Sequence, residues 1–183
     1  MTENEHHEKK SPIFYTWLVG LVENSSVKDV MKDIDKANSE EHIKEIILTI
    51  ASPGGGIYPG IALYDHIKAS KKPIDIITEG YCMSAAVMIL QAARKRISRP
   101  HTVFMVHPSS YVVEKEIPRP YSEFLTMVED YKNQHDLVVR LSITRSGIRR
   151  KEYEAMYNPR KYFTSEEALK FGPHGLIDEI REK

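Results

Sequence analysis

The 183-residue sequence has a single cysteine, Cys82, so no intramolecular disulfide framework can form. That absence points to a reducing compartment. It also lacks net charge, since 26 Lys and Arg balance 26 Asp and Glu. Without a basic excess there is no electrostatic reason to expect a nucleic-acid partner. A chain with little self-repulsion also tolerates self-association. Long apolar runs are missing. The longest, such as residues 85–90, fall far short of the ~20 residues that cross a bilayer, and residues 1–10 contain no apolar segment of the secretory kind. No zinc-ligand spacing and no paired-carboxylate motif stands out. The expectation is a soluble, cytoplasmic protein with no metal, cofactor, membrane or nucleic-acid partner.

What is present reads as one folded unit. About 41% of residues are hydrophobic, enough for one sizeable core, and the length fits one domain better than two. Residues 1–11, rich in Glu, His and Lys, read as an N-terminal arm, and residues 12–183 as a single domain. Strand-like runs fall at 14–22, 45–50, 73–78 and 102–106. Helical patterns fall between them: one capped by Ser25 or Ser26, with Val27, Val30, Met31 and Ile34 on one face, then 60–69 and 85–94. This β–α alternation predicts a mostly parallel sheet covered by helices. In such folds functional groups gather at the carboxyl ends of strands. A further strand-like run at 111–117 leads into a long helical pattern over 121–142. Shorter helices follow at 150–157 and 165–171.

Three segments carry chemistry-bearing residues. In Gly80-Tyr81-Cys82-Met83-Ser84-Ala85-Ala86 a strand ends, the chain turns, and a helix opens on a serine followed by two alanines. A serine there is either a plain helix cap or a nucleophile. The free N–H groups of the helix start would suit a developing oxyanion. In Ser52-Pro53-Gly54-Gly55-Gly56 three glycines follow a strand. They permit positive φ and close backbone approach, as a tight turn or as an anion-holding loop. His107 ends the apolar strand 103–106 and precedes Pro108. It is a structural histidine or a general base. The other histidines receive no role.

In order, these pieces resemble the proteolytic subunit of the Clp protease family. The resemblance rests on Ser52-Pro53-Gly54-Gly55, Gly60 and Ala62-Leu63-Tyr64-Asp65. It continues through Gly80 to Ala86 and Met105-Val106-His107-Pro108, and closes with Ser165-Glu166-Glu167-Ala168 and Gly175-Leu176-Ile177-Asp178. It implies a crotonase-like α/β fold, a stacked β-β-α superhelix with a projecting handle helix at about 109–143. It implies Ser84 as nucleophile and His107 as base, with the N–H groups of Gly55 and Ala85 as oxyanion hole and Gly54 beside them. It further implies heptameric rings stacked into a tetradecamer. The substrate would be peptide or unfolded protein, delivered by an AAA+ unfoldase.

The sequence departs from the family pattern at several points. Met156 or Tyr157 falls where the family has its triad aspartate, with no carboxylate from 156 to 164, which leaves Asn158 as the candidate to orient His107. Tyr81-Cys82-Met83 replaces smaller residues, and Ala85 replaces a methionine. The Gly-rich strand after the histidine is replaced by Ser109-Ser110-Tyr111-Val112-Val113, and the axial loop has no recognisable counterpart. Cys82 reads as a buried, inert thiol, and Asp178 as structural. Three functions therefore stand: an active serine endopeptidase, a catalytically weak or inactive subunit working beside an active paralogous one, and a crotonase-fold coenzyme A thioester enzyme.

Overall fold

The computed structural model describes residues 11–110, 120–157 and 161–182. Residues 1–10 of the arm expected at 1–11, the strand-like run at 111–117 and Asn158 lie outside the described residues.

Strand β1 (Ile13–Val19) opens the fold, and β2 (Glu45–Ser52) pairs parallel to it. The intervening helix α1 (Asn24–Ser39) buries Val27, Val30, Ile34 and Ala37, at the helical spacing the sequence displays. Its start lies slightly earlier than the serines suggest. Glu23 is the cap residue, and Ser26 Oγ accepts from its backbone N–H at 3.1 Å. Helix α2 (Ile57–Ala69) follows the glycine loop. Strand β3 (Ile74–Met83) is next, then α3 (Ala85–Leu90), which is buried along its whole length.

β3 changes neighbours along its course. Ile76–Thr78 pairs with β4 (Arg96–Ser98), whereas Tyr81–Met83 pairs with β5 (Val103–Val106), both in parallel. Its register against β2 slips between the Ile50 and Ser52 pairings. The chain therefore does not leave the sheet at Gly80, as the glycine suggests. Tyr81–Met83 finds ladder partners on β5, and Cys82 also pairs with Ser52 of β2, so the turn contracts to Ser84 alone. Strand β4 falls where the sequence suggests only a helix end. The charge at its first residue, Arg96, hides the strand signal.

Helix α4 (Tyr121–Ile143) packs against α3 and α2, followed by α5 (Arg150–Glu154) and a 3₁₀ turn at Ala155–Tyr157. Strand β6 (Lys161–Phe163) pairs antiparallel with β5, and β7 (Glu179–Ile180) pairs parallel with β4. Between them α6 (Ser165–Leu169) begins with a reciprocal cap: Thr164 Oγ1 accepts from Glu167 N–H, and the Glu167 carboxylate accepts from Thr164 N–H at 2.8 Å. The sheet order is β1-β2-β3-β4-β7, with β5 and β6 on a branch from β3. The result is a mixed α/β fold with a mostly parallel sheet flanked by helices.

The main core joins one sheet face to α1, α2, α3 and the second half of α4. The opposite face holds a small cluster of Ile47, Ile77 and Ile97. On β1, Tyr15, Trp17 and Val19 point outward and remain exposed. The far edge is tied by a buried charge. Arg96 is 2% exposed and donates to Asp178, to Gln91 Oε1 at 2.8 Å and to Gly175 O at 3.0 Å. The Arg96 backbone N–H also reaches Asp178 at 2.8 Å. Burial pushes the Asp178 carboxyl up, but its Arg96 hydrogen bonds and the Arg96 and Arg145 charges outweigh this and hold it below the usual range. Asp178 is engaged in this clamp, as the sequence reading supposed. Among the described residues no helix is long and apolar enough to cross a membrane.

Candidate active site

Parallel register brings Ser84 and His107 to the same end of the sheet. Met83 lies opposite Met105 on neighbouring strands, and Ser84 N–H donates to Met105 O at 2.9 Å. Parallel strands run ~4.8 Å apart. The residue after β3 and the residue after β5 therefore emerge side by side.

Ser84 has φ 53° and ψ −123°, and it is the single non-glycine residue with positive φ among the described residues. A side chain held there costs about 1–3 kcal/mol, and it persists only where the surroundings over-determine it. Here they do. Behind Ser84 the chain enters α3, whose Ala85 and Ala86 are buried in the core. Ahead of it β3 is locked between β2 and β5.

The glycine loop packs directly on this turn. A Cβ at Gly54 would lie 2.6 Å from Ser84 Cβ and 2.8 Å from Met83 O, at a φ of +92°. Only glycine lets the two backbones meet. Gly55 is pinned on its other side, where a Cβ would come within 2.4 Å of Val22 O. Val22 N–H donates to Gly54 O at 2.9 Å, and Gly56 N–H donates to Val22 O at 2.7 Å. In this parallel pairing Gly55's own N–H and C=O point away from Val22. Ser52 Oγ, fully buried, accepts from Gly54 N–H at 3.1 Å and shapes the loop from beneath.

Gly54, Gly55, Ser84, Ala85 and His107 all line one cleft of about 310 Å³. Every site residue expected from the sequence is thus brought together except Asn158, which lies outside the described residues. Of the two residues expected at the aspartate position, Tyr157 lines the same cleft and Met156 packs against the core. No carboxylate lines the cleft among the described residues.

The opposite wall escapes sequence reasoning. It comes from α4, α5 and the 3₁₀ turn after it, through Val138, Ser142, Tyr153 and Tyr157, together with Ser109 and Ser110 after His107. Tyr131, His135, Val138 and Ser142 share one stripe of α4 at 4-3-4 spacing. Searching α4 for apolar residues alone selects Tyr131 and Val138 and passes over the polar members between them. Tyr131 hydroxyl donates to Ser109 O, and His135 Nδ1 meets Ser109 Oγ at 3.2 Å. His135 also stacks on Tyr131 and meets Tyr157 edge-on, with Tyr153 beyond. Burial pushes the Tyr153 hydroxyl up to about 12. Burial, then the neighbouring Tyr153 and Glu154, push Tyr157 up as well. Both phenols stay protonated at neutral pH. Cys82, two residues before Ser84, is fully buried, and burial drives its thiol far above the usual range.

Fold and cleft together define a class: an α/β protein presenting a strained serine, a histidine and a glycine loop to one small cleft. The comparisons narrow this further. A model of the family described as Clp protease matches residues 9–183, and the chain belongs to that family. Membership supports peptidase activity. The chain is 29% identical over 168 residues to an ATP-dependent Clp protease proteolytic subunit of Deinococcus radiodurans, covering 87% of this chain and 76% of that protein. It is 30% identical to the proteins of the same description from Populus trichocarpa and Glycine max. Those matches cover 60% and 59% of this chain, and span only 56% and 55% of the plant proteins.

Proposed function

We propose that this protein is a serine endopeptidase acting within an oligomeric chamber. Ser84 Oγ attacks the peptide carbonyl carbon, and His107 takes the hydroxyl proton as the new C–O bond forms. The carbonyl oxygen becomes an oxyanion facing the N–H groups of Gly55 and Ala85. Collapse of this intermediate breaks the C–N bond, and His107 returns its proton to the leaving amine. Water, deprotonated by the same histidine, then releases the acyl group and restores Ser84.

The observation that carries this reading is the backbone of Ser84. A helix cap needs no positive φ, because caps take ordinary extended geometry. The strain has a use if it throws the hydroxyl into the cleft that His107 shares. Asn158 is assigned as the residue that orients His107. An amide there orients the ring without stabilising imidazolium by charge, and losing that charge costs about 10⁴ in turnover in a well-studied serine protease.

The assembly reading is a homo-oligomer of heptameric rings, stacked in pairs through a handle at about 109–143 of the peptidase domain 12–183. Peptide or unfolded protein is the substrate, an AAA+ unfoldase or an active paralogous subunit the candidate partner, and the cytoplasm the compartment. Two exposed apolar surfaces support self-association: Tyr15, Trp17 and Val19 on β1, and Phe124, Leu125 and Val128 on the first half of α4. Native mass spectrometry tests the ring; a monomer at micromolar concentration would rule it out.

A second reading is favoured by the absence of a carboxylate along the described cleft: a weak or inactive subunit working beside an active relative. Intact mass after fluorophosphonate treatment of the size-fractionated oligomer decides between them. One adduct, lost in Ser84→Ala and slower in Asn158→Ala, supports the endopeptidase. Absence of any adduct supports the inactive subunit.

A further inference from the structure

The wall opposite Ser84 carries hydrogen-bonding capacity that nothing in the described protein uses. Ser142 is 1% exposed, and its Oγ has no hydrogen-bond partner among the described residues. It sits on α4 four residues after Val138, whose carbonyl a helical serine ordinarily reaches. Tyr153, 4% exposed, places its hydroxyl beside Ser142. Even if a small rotation joined the two, one bond would consume one of their two O–H protons. A donor and several lone pairs would still be left without a partner in the wall of the cleft. Buried polar groups are normally satisfied, so an orphan lining a cleft marks a place where a ligand completes the set.

The surroundings define that ligand's chemistry. Leu21, Ile57, Val106 and Val138 make the cleft apolar. Apart from His107, no ionisable side chain other than the two protonated tyrosines lines it among the described residues. A charged side chain would enter without a counter-ion and lose its hydration. A purely aliphatic side chain would leave the hydroxyls dry and unpaired. A neutral amide, which both donates and accepts, answers the wall.

We propose that Ser142 and Tyr153 form a polar specificity pocket. It selects peptides with an uncharged hydrogen-bonding side chain, Asn or Gln, at the residue whose carbonyl Ser84 attacks. This rests on the endopeptidase reading and gives it a substrate class. The phenols keep their protons across the neutral range, so the selection does not change between about pH 6 and 9.

The test uses the full chain in its assembled form and fluorogenic peptide amides that differ only in Asn or Leu at the scissile residue, side chains of nearly equal size. Fluorophosphonate labelling of Ser84 is read in parallel. The expected result is a kcat/KM ratio favouring Asn by about tenfold, the effect of leaving one buried hydroxyl unpaired. That ratio falls toward one in Ser142→Ala and is retained in Ser142→Thr, which keeps the hydroxyl. Tyr153→Phe lowers it as well. Labelled Ser84 with Leu preferred or equal, or with a ratio indifferent to Ser142→Ala, overturns the pocket and leaves the endopeptidase standing. Unlabelled Ser84 with neither peptide cleaved overturns both.

Discussion

The two sides of the cleft are built on different principles. The Ser84 side is made of backbone: a strained serine, a glycine loop in van der Waals contact with it, and strand ends fixed by register. The α4–α5 side is made of side chains: Ser142, His135, the buried Tyr153 and the half-buried Tyr157, packed edge-on and in stacks. On the first side nearly any substitution must move the main chain. On the second, one hydroxyl can come or go with the frame intact. On the proposed function, reaction geometry therefore sits where the fold is least forgiving, and selectivity where it is most adjustable.

The sharpest way to separate the sides is to remove one atom from the first. Ser84→Ala should lower peptide hydrolysis by about 10³-fold or more without loss of thermal stability, as assay and melting curve together would show. Ser84→Gly should be equally inactive yet more stable by about 1 kcal/mol, since glycine accepts φ 53° without strain; no gain in stability would mean that Ser84 is not strained.

Gly54→Ala attacks the same side through its packing. The added Cβ meets Ser84 Cβ at 2.6 Å, so the turn must move. We expect a loss of about 3 kcal/mol in denaturant unfolding, with labelling of Ser84 slowed in parallel.

A control lies away from the cleft, in the clamp at the sheet edge. Asp178→Asn should cost about 2 kcal/mol at neutral pH, where the carboxylate pairs with buried Arg96. Its folded pKa lies below the unfolded value, so the contribution is present above the usual carboxylate range. It is lost as pH falls through the folded value. The gap between wild type and Asp178→Asn should therefore narrow below about pH 4. A gap independent of pH would break this account.

The smallest effect is expected on the second side. Ser142→Ala should leave stability within about 0.5 kcal/mol of wild type or raise it slightly, because it removes an unpaired buried group. A loss of 2 kcal/mol or more on that roughly 1 kcal/mol scale would reveal a structural bond for Ser142 and erase the contrast.

The same contrast explains what could be read from the sequence. The backbone-built side was legible: glycines at 54–56, a serine opening a helix after a strand, and a histidine closing the next strand are local signals. The alternation that sets strand ends side by side is local too. The side-chain wall was not. Nothing local tells that Ser142 faces Tyr153, eleven positions on, or that His135 reaches Ser109. Strand β4 was missed because Arg96 looks like a surface charge until Asp178 arrives to pair it, and β6 and β7 are too short to show a period. Gly80 misled in the opposite way, since β-ladder partners on both sides overrode a turn-forming residue.

The Arg96–Asp178 clamp also has a consequence in time. Its partners stand 82 positions apart in the chain. Polypeptide leaves the ribosome at roughly 5–20 residues per second, so Arg96 emerges roughly 4–16 s before its counter-charge on that range. During that interval β4 has neither its ion pair nor the neighbouring strand β7. The cleft's strand ends can meet while synthesis continues, but the far edge of the sheet must wait, exposed to whatever chaperone guards nascent chains.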